Sequence, residues 1–365
     1  MNYKETLYFI AKCLTISLEE KNRQEIEKQL ESTSIDWDAV VKVSTAHYVF
    51  PAIYCNLKRA DFLHYLPHEL VSYMEHITEL NRERNTQIIQ QAQELNNLLL
   101  ANNIRPIFLK GTGNLLSGIY DDIAERMVGD IDFILSKEDY PKGIIILREF
   151  GYSEVEKYKY YSPSEKHYRR LQKENNIAAI EIHKELLIEK YANEFNYSFV
   201  EKDSQIINGV GVLSYANKLN LSIIAFQIND GGSYYKTMAL RNAYDVFLLS
   251  KKTNAKFAVN ALDKLTSPLN YFLAACYEVF NKIESLEYNN TKKAASYVSV
   301  FNSQFINSRK TKRRHSLIKR YLFLKPRLNM LYKSIIYKEY RVWLFKRVTD
   351  KNWYIEKGIQ LRIKK

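Results

Sequence analysis

Three stretches of the chain carry residue types at spacings that suit chemistry on phosphates. In the first, Gly111-Thr112 falls where a short apolar strand candidate, Pro106-Ile-Phe-Leu109, feeds a helix. Glycine lets the backbone approach a phosphate, the threonine hydroxyl can donate to it, and a helix N-terminus supplies free N–H groups. A glycine after a strand is most often only a turn, so this pair decides little alone. In the second, Asp130 and Asp132 lie within Asp130-Ile-Asp-Phe-Ile-Leu135. Residues two apart on a strand project from one face, so both carboxylates can serve one pair of divalent cations. Two acids on a solvent-facing strand would be mere surface. Here Ile131, Phe133, Ile134 and Leu135 mark the strand as mostly buried, where side-by-side like charges are costly unless a metal neutralises them. The third stretch is Ala179-Ile-Glu-Ile-His183, with Glu181 in an apolar run. If this strand pairs with the Asp130 strand, Glu181 becomes the third ligand of a carboxylate site suited to phosphoryl or nucleotidyl transfer. His183 shares the face of Glu181 and suits orienting an acceptor or base; a hydrogen-bonded structural histidine is the competing reading.

The elements that must position these groups read as follows. Residues 1–95 are helical, with Ile88, Ala92, Leu95 and Leu99 on one face of a helix over Asn81–Ala101 and Gln90, Gln91, Gln93 and Glu94 on the other side. Pro51 splits Trp37–Leu57 into two shorter helices. Residues 96–200 alternate strands and helices. They include a helix through Leu115, Leu116, Ile119 and Tyr120, another over Lys137–Phe150, and strands at His167–Leu171 and Ile177–His183. Residues 201–308 return to helix at Leu213–Ile228, Tyr235–Ser250 and Ser267–Glu284, with Asp230-Gly-Gly-Ser233 as a loop. Arg241 and Asp245 stand four apart in the second of these, the spacing of an intrahelical ion pair.

Composition narrows the class. The 365 residues are 46% apolar and 26% charged, ordinary globular values, with only 11 Gly and 7 Pro, so helix should dominate over tight-turned β architecture. Three scattered cysteines, Cys13, Cys55 and Cys276, exclude a disulfide framework and a cysteine-based zinc site. No apolar run is long enough to cross a bilayer and no signal peptide is evident, so a soluble, cytoplasmic protein is expected. The net charge of +13 is uneven: residues 309–365 hold 19 Lys or Arg against three acids, a net +16, and the rest of the chain sits at −3. That basic tail is expected to be helical, packing Tyr321, Leu331, Ile335, Trp343 and Phe345 on the body. Its cations point to an anionic partner such as nucleic acid or a lipid surface.

The order Phe108-Leu-Lys-Gly111, Ile119-Tyr120, Arg126, Gly129-Asp-Ile-Asp-Phe-Ile-Leu135 and Glu181-Ile-His183 resembles the uncharacterised nucleotidyltransferase family of the polymerase-β-like superfamily. The likeness extends upstream to Ala46-His-Tyr-Val-Phe-Pro51 and downstream to Leu240-Arg-Asn-Ala-Tyr-Asp245, covering about residues 35–250. Gly-Thr stands where the superfamily usually has Gly-Ser, and Glu181 where Asp is common. The resemblance implies an α+β fold, with a minimal nucleotidyltransferase core, a short mixed sheet and flanking helices, set between helical regions. It further implies an enzyme that moves a nucleoside monophosphate from an NTP such as ATP to an acceptor hydroxyl, releasing pyrophosphate. The cofactor would be Mg²⁺ or Mn²⁺, two ions with bound NTP. In that reading Asp130, Asp132 and Glu181 are catalytic and hold the metal. Lys110, Gly111, Thr112 and Arg126 bind the nucleotide, and His183 orients the acceptor, which is a small molecule, RNA or protein. Two other readings stay open: a retired active site whose protein binds nucleic acid or membrane through the tail, and a toxin–antitoxin component that modifies RNA or a partner protein.

Overall fold

The computed structural model describes residues 1–32, 34–155, 163–352 and 354–355; the last ten residues of the basic tail and Trp353 lie outside the described residues. The fold is α+β. Seven strands form one mixed sheet among the described residues: β1 (Ile107–Phe108), β2 (Asp130–Ile134), β3 (Ser153–Glu154), β4 (Leu171–Gln172), β5 (Ala179–His183), β6 (Gln205–Ile207) and β7 (Val210–Val212). Their spatial order is β3-β4-β5-β2-β1-β7-β6. β2 lies at the centre, parallel to β5 and antiparallel to β1. Ile131, Phe133, Ile134, Ile180 and Ile182 are fully buried, so helices and loops cover both faces of this central pair, as a parallel pair requires.

The helix before the sheet runs His68–Ala101, 34 residues, much longer than the Asn81–Ala101 that periodicity suggests. Its polar residues explain its role. Asn81 and Asn85, one turn apart, donate to the carbonyls of Ile123, Ala124 and Arg126 at 2.6–3.2 Å, and Arg84 donates to Val128 and Gly129, gripping the lead-in to β2. Gln91, expected on the solvent side, is buried. Its amide exchanges two bonds with the Ala178 backbone, at 2.8 and 3.1 Å, just before β5. Asn96 reaches the Gly209 carbonyl at 3.2 Å. Each of these side chains satisfies backbone groups that no strand pairs, which is why so polar a helix face is buried.

Other elements follow the sequence with corrections. The helices Trp37–Ala46 and Phe50–Arg59 flank the break at Pro51, which sits in the first turn of the second. The helix after β1 spans Lys110–Leu116, starting earlier than expected and ending before Ile119 and Tyr120. Gly113 is required there: a Cβ would stand 2.6 Å from the Phe108 carbonyl oxygen. Strand structure does not end near residue 200, because the β6–β7 hairpin adds two strands, with β7 parallel to β1. Beyond it, Tyr215–Ile224 runs into a π-helical turn, Ala225–Asn229, which delivers the Asp230-Gly231-Gly232 loop, and Leu240–Ser250 and Thr266–Val279 follow.

The tail is helical over Ser308–Ile336 and Lys338–Val348. Trp343 and Tyr340 are buried, but most of the apolar residues expected to pack on the body are not; Ile335 is 75% exposed and Phe345 70%. No helix among the described residues is long and apolar enough to cross a membrane.

Candidate active site

The parallel register between β2 and β5 sets Asp132 opposite Glu181 and Ile134 opposite His183. Because side chains on a strand alternate, Asp132, Glu181 and His183 rise on one face of neighbouring strands. One ligand atom from each lies within 4.8 Å of the others. Two ligands of one ion at about 2.1 Å can be at most about 4.2 Å apart, so a shift of a few tenths of an ångström closes the set. Two carboxylate oxygens suit Mg²⁺ or Mn²⁺ in donor type, whereas the imidazole nitrogen suits transition metals better than Mg²⁺. His183 Nδ1 lies 3.4 Å from the Glu185 carbonyl, which would accept from the ring N–H when Nε2 ligates an ion; beside the Asp132 carboxylate that proton sits on Nε2.

The cluster already holds a cation. Lys110 Nζ donates to Asp132 Oδ1 at 2.6 Å and lies 4.0 Å from Glu181 Oε2. His183 Nε2 is 2.8 Å from the same Asp132 oxygen. The charge problem read from the sequence is therefore answered by a side chain: an ammonium neutralises the buried acids. Lys110 reaches them from a left-handed backbone, φ 48°, at the first residue of its helix, a conformation costly for a side chain of this size.

Asp130 stands apart from the close set. Arg170 ties it in, with Nη2 3.2 Å from Asp130 Oδ2 and Nε 3.4 Å from Glu181 Oε1. Burial pushes the Asp130 and Glu181 carboxyls up, and the negative charge of Asp132 adds to both. Burial also acts to raise Asp132, but Lys110 and His183 outweigh it and hold that carboxyl well below the usual range. Burial lowers His183, which favours the neutral ring. The two facing carboxyls are thus driven in opposite directions, Asp132 towards permanent charge and Glu181 towards proton uptake.

Of the nucleotide-binding candidates, Gly111 and Thr112 serve the junction. A Cβ on Gly111 would stand 2.9 Å from Val128 Cγ2, and the fully buried Thr112 hydroxyl donates to the Asp130 carbonyl at 3.0 Å. Arg126 is buried, its guanidinium 3.0 Å from Asp245 Oδ2 with Tyr120 donating to the other oxygen at 2.7 Å. Asp245 is thus taken by Arg126 instead of forming the intrahelical pair with Arg241. Arg241 lies over the Tyr48 ring at 4.9 Å, and its buried Nε has no hydrogen-bond partner.

The sequence reading missed four further groups around the cluster. Arg170 is one, and His167 is another, Nε2 4.0 Å from Glu181. Asp230 and Lys166 are the others: burial raises the Asp230 carboxyl against the pull of Lys166, Lys110 and Arg241, and burial lowers the Lys166 amine. Lys166 also lines a cleft of about 400 Å³ with Lys184, Glu185, Glu189, Lys333 and Tyr340. His167 and Arg170 fall in the strand expected over His167–Leu171, which pairs only as a bridge from His167 to His183 before β4 begins at Leu171, and Lys166 and Asp230 come from connecting segments.

The central parallel strands of a mixed sheet thus present Asp132, Glu181 and His183 together, with Lys110 and Arg170 paired to the acids: an α+β protein with an acidic, histidine-containing candidate metal site. The family model described as an uncharacterised nucleotidyltransferase matches residues 33–280, more than half of the chain, and the chain belongs to that family. No curated protein matches it.

Proposed function

We propose that the protein transfers a nucleoside monophosphate from an NTP to an acceptor hydroxyl. The observation that carries this reading is the in-register pair Asp132–Glu181, with His183 beside it and cations around it. Asp132, Glu181 and His183, with Asp130 at the edge, would hold divalent ions, Mg²⁺ or Mn²⁺, two with bound NTP. Ions there would stabilise charge building on the attacking and leaving oxygens. Lys110, Arg170, Lys166 and Arg241 would bind and orient the triphosphate, with the Gly111–Thr112 backbone beneath it. Arg126 adds to this contact only when its pair with Asp245 opens. The acceptor oxygen attacks the α-phosphorus, the bond from that phosphorus to the pyrophosphate oxygen breaks, and pyrophosphate leaves. Glu181, the third acid of the set, takes the acceptor proton. The cleft that shares Lys166 is where an acceptor would sit.

The test is labelled transfer from each of the four NTPs, with Mg²⁺ or Mn²⁺, into small-molecule, RNA and protein fractions, with pyrophosphate release measured in parallel. Transfer lost in Glu181→Gln supports the assignment; transfer unaffected by it overturns it. One observation favours a second reading. Lys110 neutralises Asp132 without a metal, as in a retired site that only binds, and that reading predicts no divalent-dependent turnover with any acceptor.

A further inference from the structure

Along the helix Ser308–Ile336, Leu317, Tyr321, Leu324, Leu328, Leu331 and Ile335 recur at alternating steps of four and three residues and so share one face. Their exposure runs from 48% for Tyr321 to 75% for Ile335. The opposite face holds the helix to the body. His315 lies 2.8 Å from Gln304 Oε1 and edge-on to Tyr235, Leu322 packs beside Gly231, and Lys333 pairs with Glu189. Tyr321 also meets the body, its ring 5.8 Å from that of Tyr234, and the rest of the row is turned to solvent. Helical geometry puts Arg313, Arg320 and Arg327 along one edge of the row; on the other edge Arg314 and Lys325 turn back to the body, donating to the Tyr234 carbonyl and hydroxyl. No acid occurs between Arg309 and Lys338.

Three occupants fit an apolar row, and the charges separate them. A second copy would use the four-three spacing as a seam, but the flanking arginines of both copies would then face one another. Single-stranded nucleic acid favours aromatic platforms, whereas five of these six residues are aliphatic. An anionic bilayer accepts both features, aliphatic side chains at the acyl boundary and cations at the lipid phosphates. We propose that the Ser308–Ile336 helix is an interfacial helix that seats the protein on an anionic membrane surface. This rests on the helix alone and is independent of the transferase reading.

The full chain is sedimented with phosphatidylcholine–phosphatidylglycerol vesicles and with phosphatidylcholine vesicles over a salt series. The expected result is binding to the anionic vesicles only, weakening as salt rises, and reduced at least about tenfold in Leu324→Asp/Leu328→Asp. Those two residues are 53% and 63% exposed, so circular dichroism and the thermal midpoint should not change. If that variant unfolds, Leu317→Asp/Ile335→Asp repeats the test on the same face. Arg320→Glu/Arg327→Glu should flatten the salt dependence. The proposal is overturned by no vesicle binding at low salt or by equal binding of the aspartate variant. It is equally overturned by binding of an oligouridylate in preference to vesicles, or by a dimer that Leu324→Asp/Leu328→Asp dissociates.

Discussion

Replacing Asp132 with asparagine preserves shape while removing the charge on which the site's hydrogen bonds converge. Relief of repulsion among the carboxylates would by itself make the variant more stable. The geometry points the other way, because Lys110 at 2.6 Å and His183 at 2.8 Å both lean on the Asp132 oxygen, and its carboxyl is almost fully buried. Removing one partner of a buried pair costs about 3–5 kcal/mol when the survivor stays charged and dry. The Lys110 side chain keeps 33% of its exposure and has Glu181 at 4.0 Å, so part of that loss is recovered, leaving about 2 kcal/mol. For a chain of this length that is a fall in Tm of about 3 °C in metal-free buffer. The pH dependence has a definite sign. A carboxyl held low in the folded state contributes stability that is full above its unfolded value, about 3.9, and is lost as pH falls through the folded value. The gap between wild type and Asp132→Asn should thus be constant near neutrality and close only in strong acid. Transfer should fall at least about a hundredfold, the scale for losing one preorganised charge at a reacting centre. Differential scanning fluorimetry in EDTA and the labelled-transfer assay read the two effects separately. A Tm equal to or above wild type would refute the ion-pair argument, and activity within tenfold would refute the metal-site assignment.

Lys110→Met removes the ammonium that occupies the cluster, so Mn²⁺ affinity, followed by electron paramagnetic resonance, should tighten about tenfold while NTP binding weakens; an unchanged Mn²⁺ affinity would show that Lys110 does not compete. Asp245→Ala strands Arg126 in a buried site and should cost about 3–5 kcal/mol in urea unfolding, and a loss below about 1 kcal/mol would mean that the guanidinium finds water. Lys218 has no hydrogen-bond partner for Nζ, and burial lowers its amine to about 8. Between about 8 and 10.5 the unfolded chain binds the extra proton, so wild-type stability rises with pH there. Lys218→Met should therefore gain about 3 kcal/mol at pH 7, an advantage that fades as pH passes 10; no gain at pH 7 would refute it.

What the sequence made legible, and what it hid, follows from how each feature is encoded. Asp132, Glu181 and His183 could be read because strand periodicity of two assigns a face, and pairing of the two strands was the single assumption needed. Lys110 was named as well, but the other cations around them come from the segments Lys166–Arg170 and Ala239–Arg241, and only the topology brings these to the cluster. The role of Gln91 was hidden because a polar residue on a helix reads as solvent-facing unless its partner, here the unpaired Ala178 backbone, is known. The β6–β7 hairpin did carry a signal: Asn208-Gly209, both with positive φ (50° and 78°), stand between Ile207 and Val210, the pattern of a two-residue turn. The apolar residues of the tail suggested packing, yet their row faces outward, since composition fixes that a stripe exists and not which way it looks.

The long helix that precedes the sheet has a consequence for how this chain can vary. Asn81, Arg84 and Asn85 grip the entry to β2, Gln91 the entry to β5 and Asn96 the β6–β7 turn, and their separations along one rod fix their relative directions. Removing a single residue between Asn85 and Gln91 would turn everything beyond it by about 100° and withdraw it by about 1.5 Å. The grip on the entry to one acid-bearing strand would then point away from the entry to the other. Substitutions on the outer face of this segment leave that relation intact, whereas an insertion or deletion of one residue destroys it. Length, more than composition, is what the geometry of that segment requires.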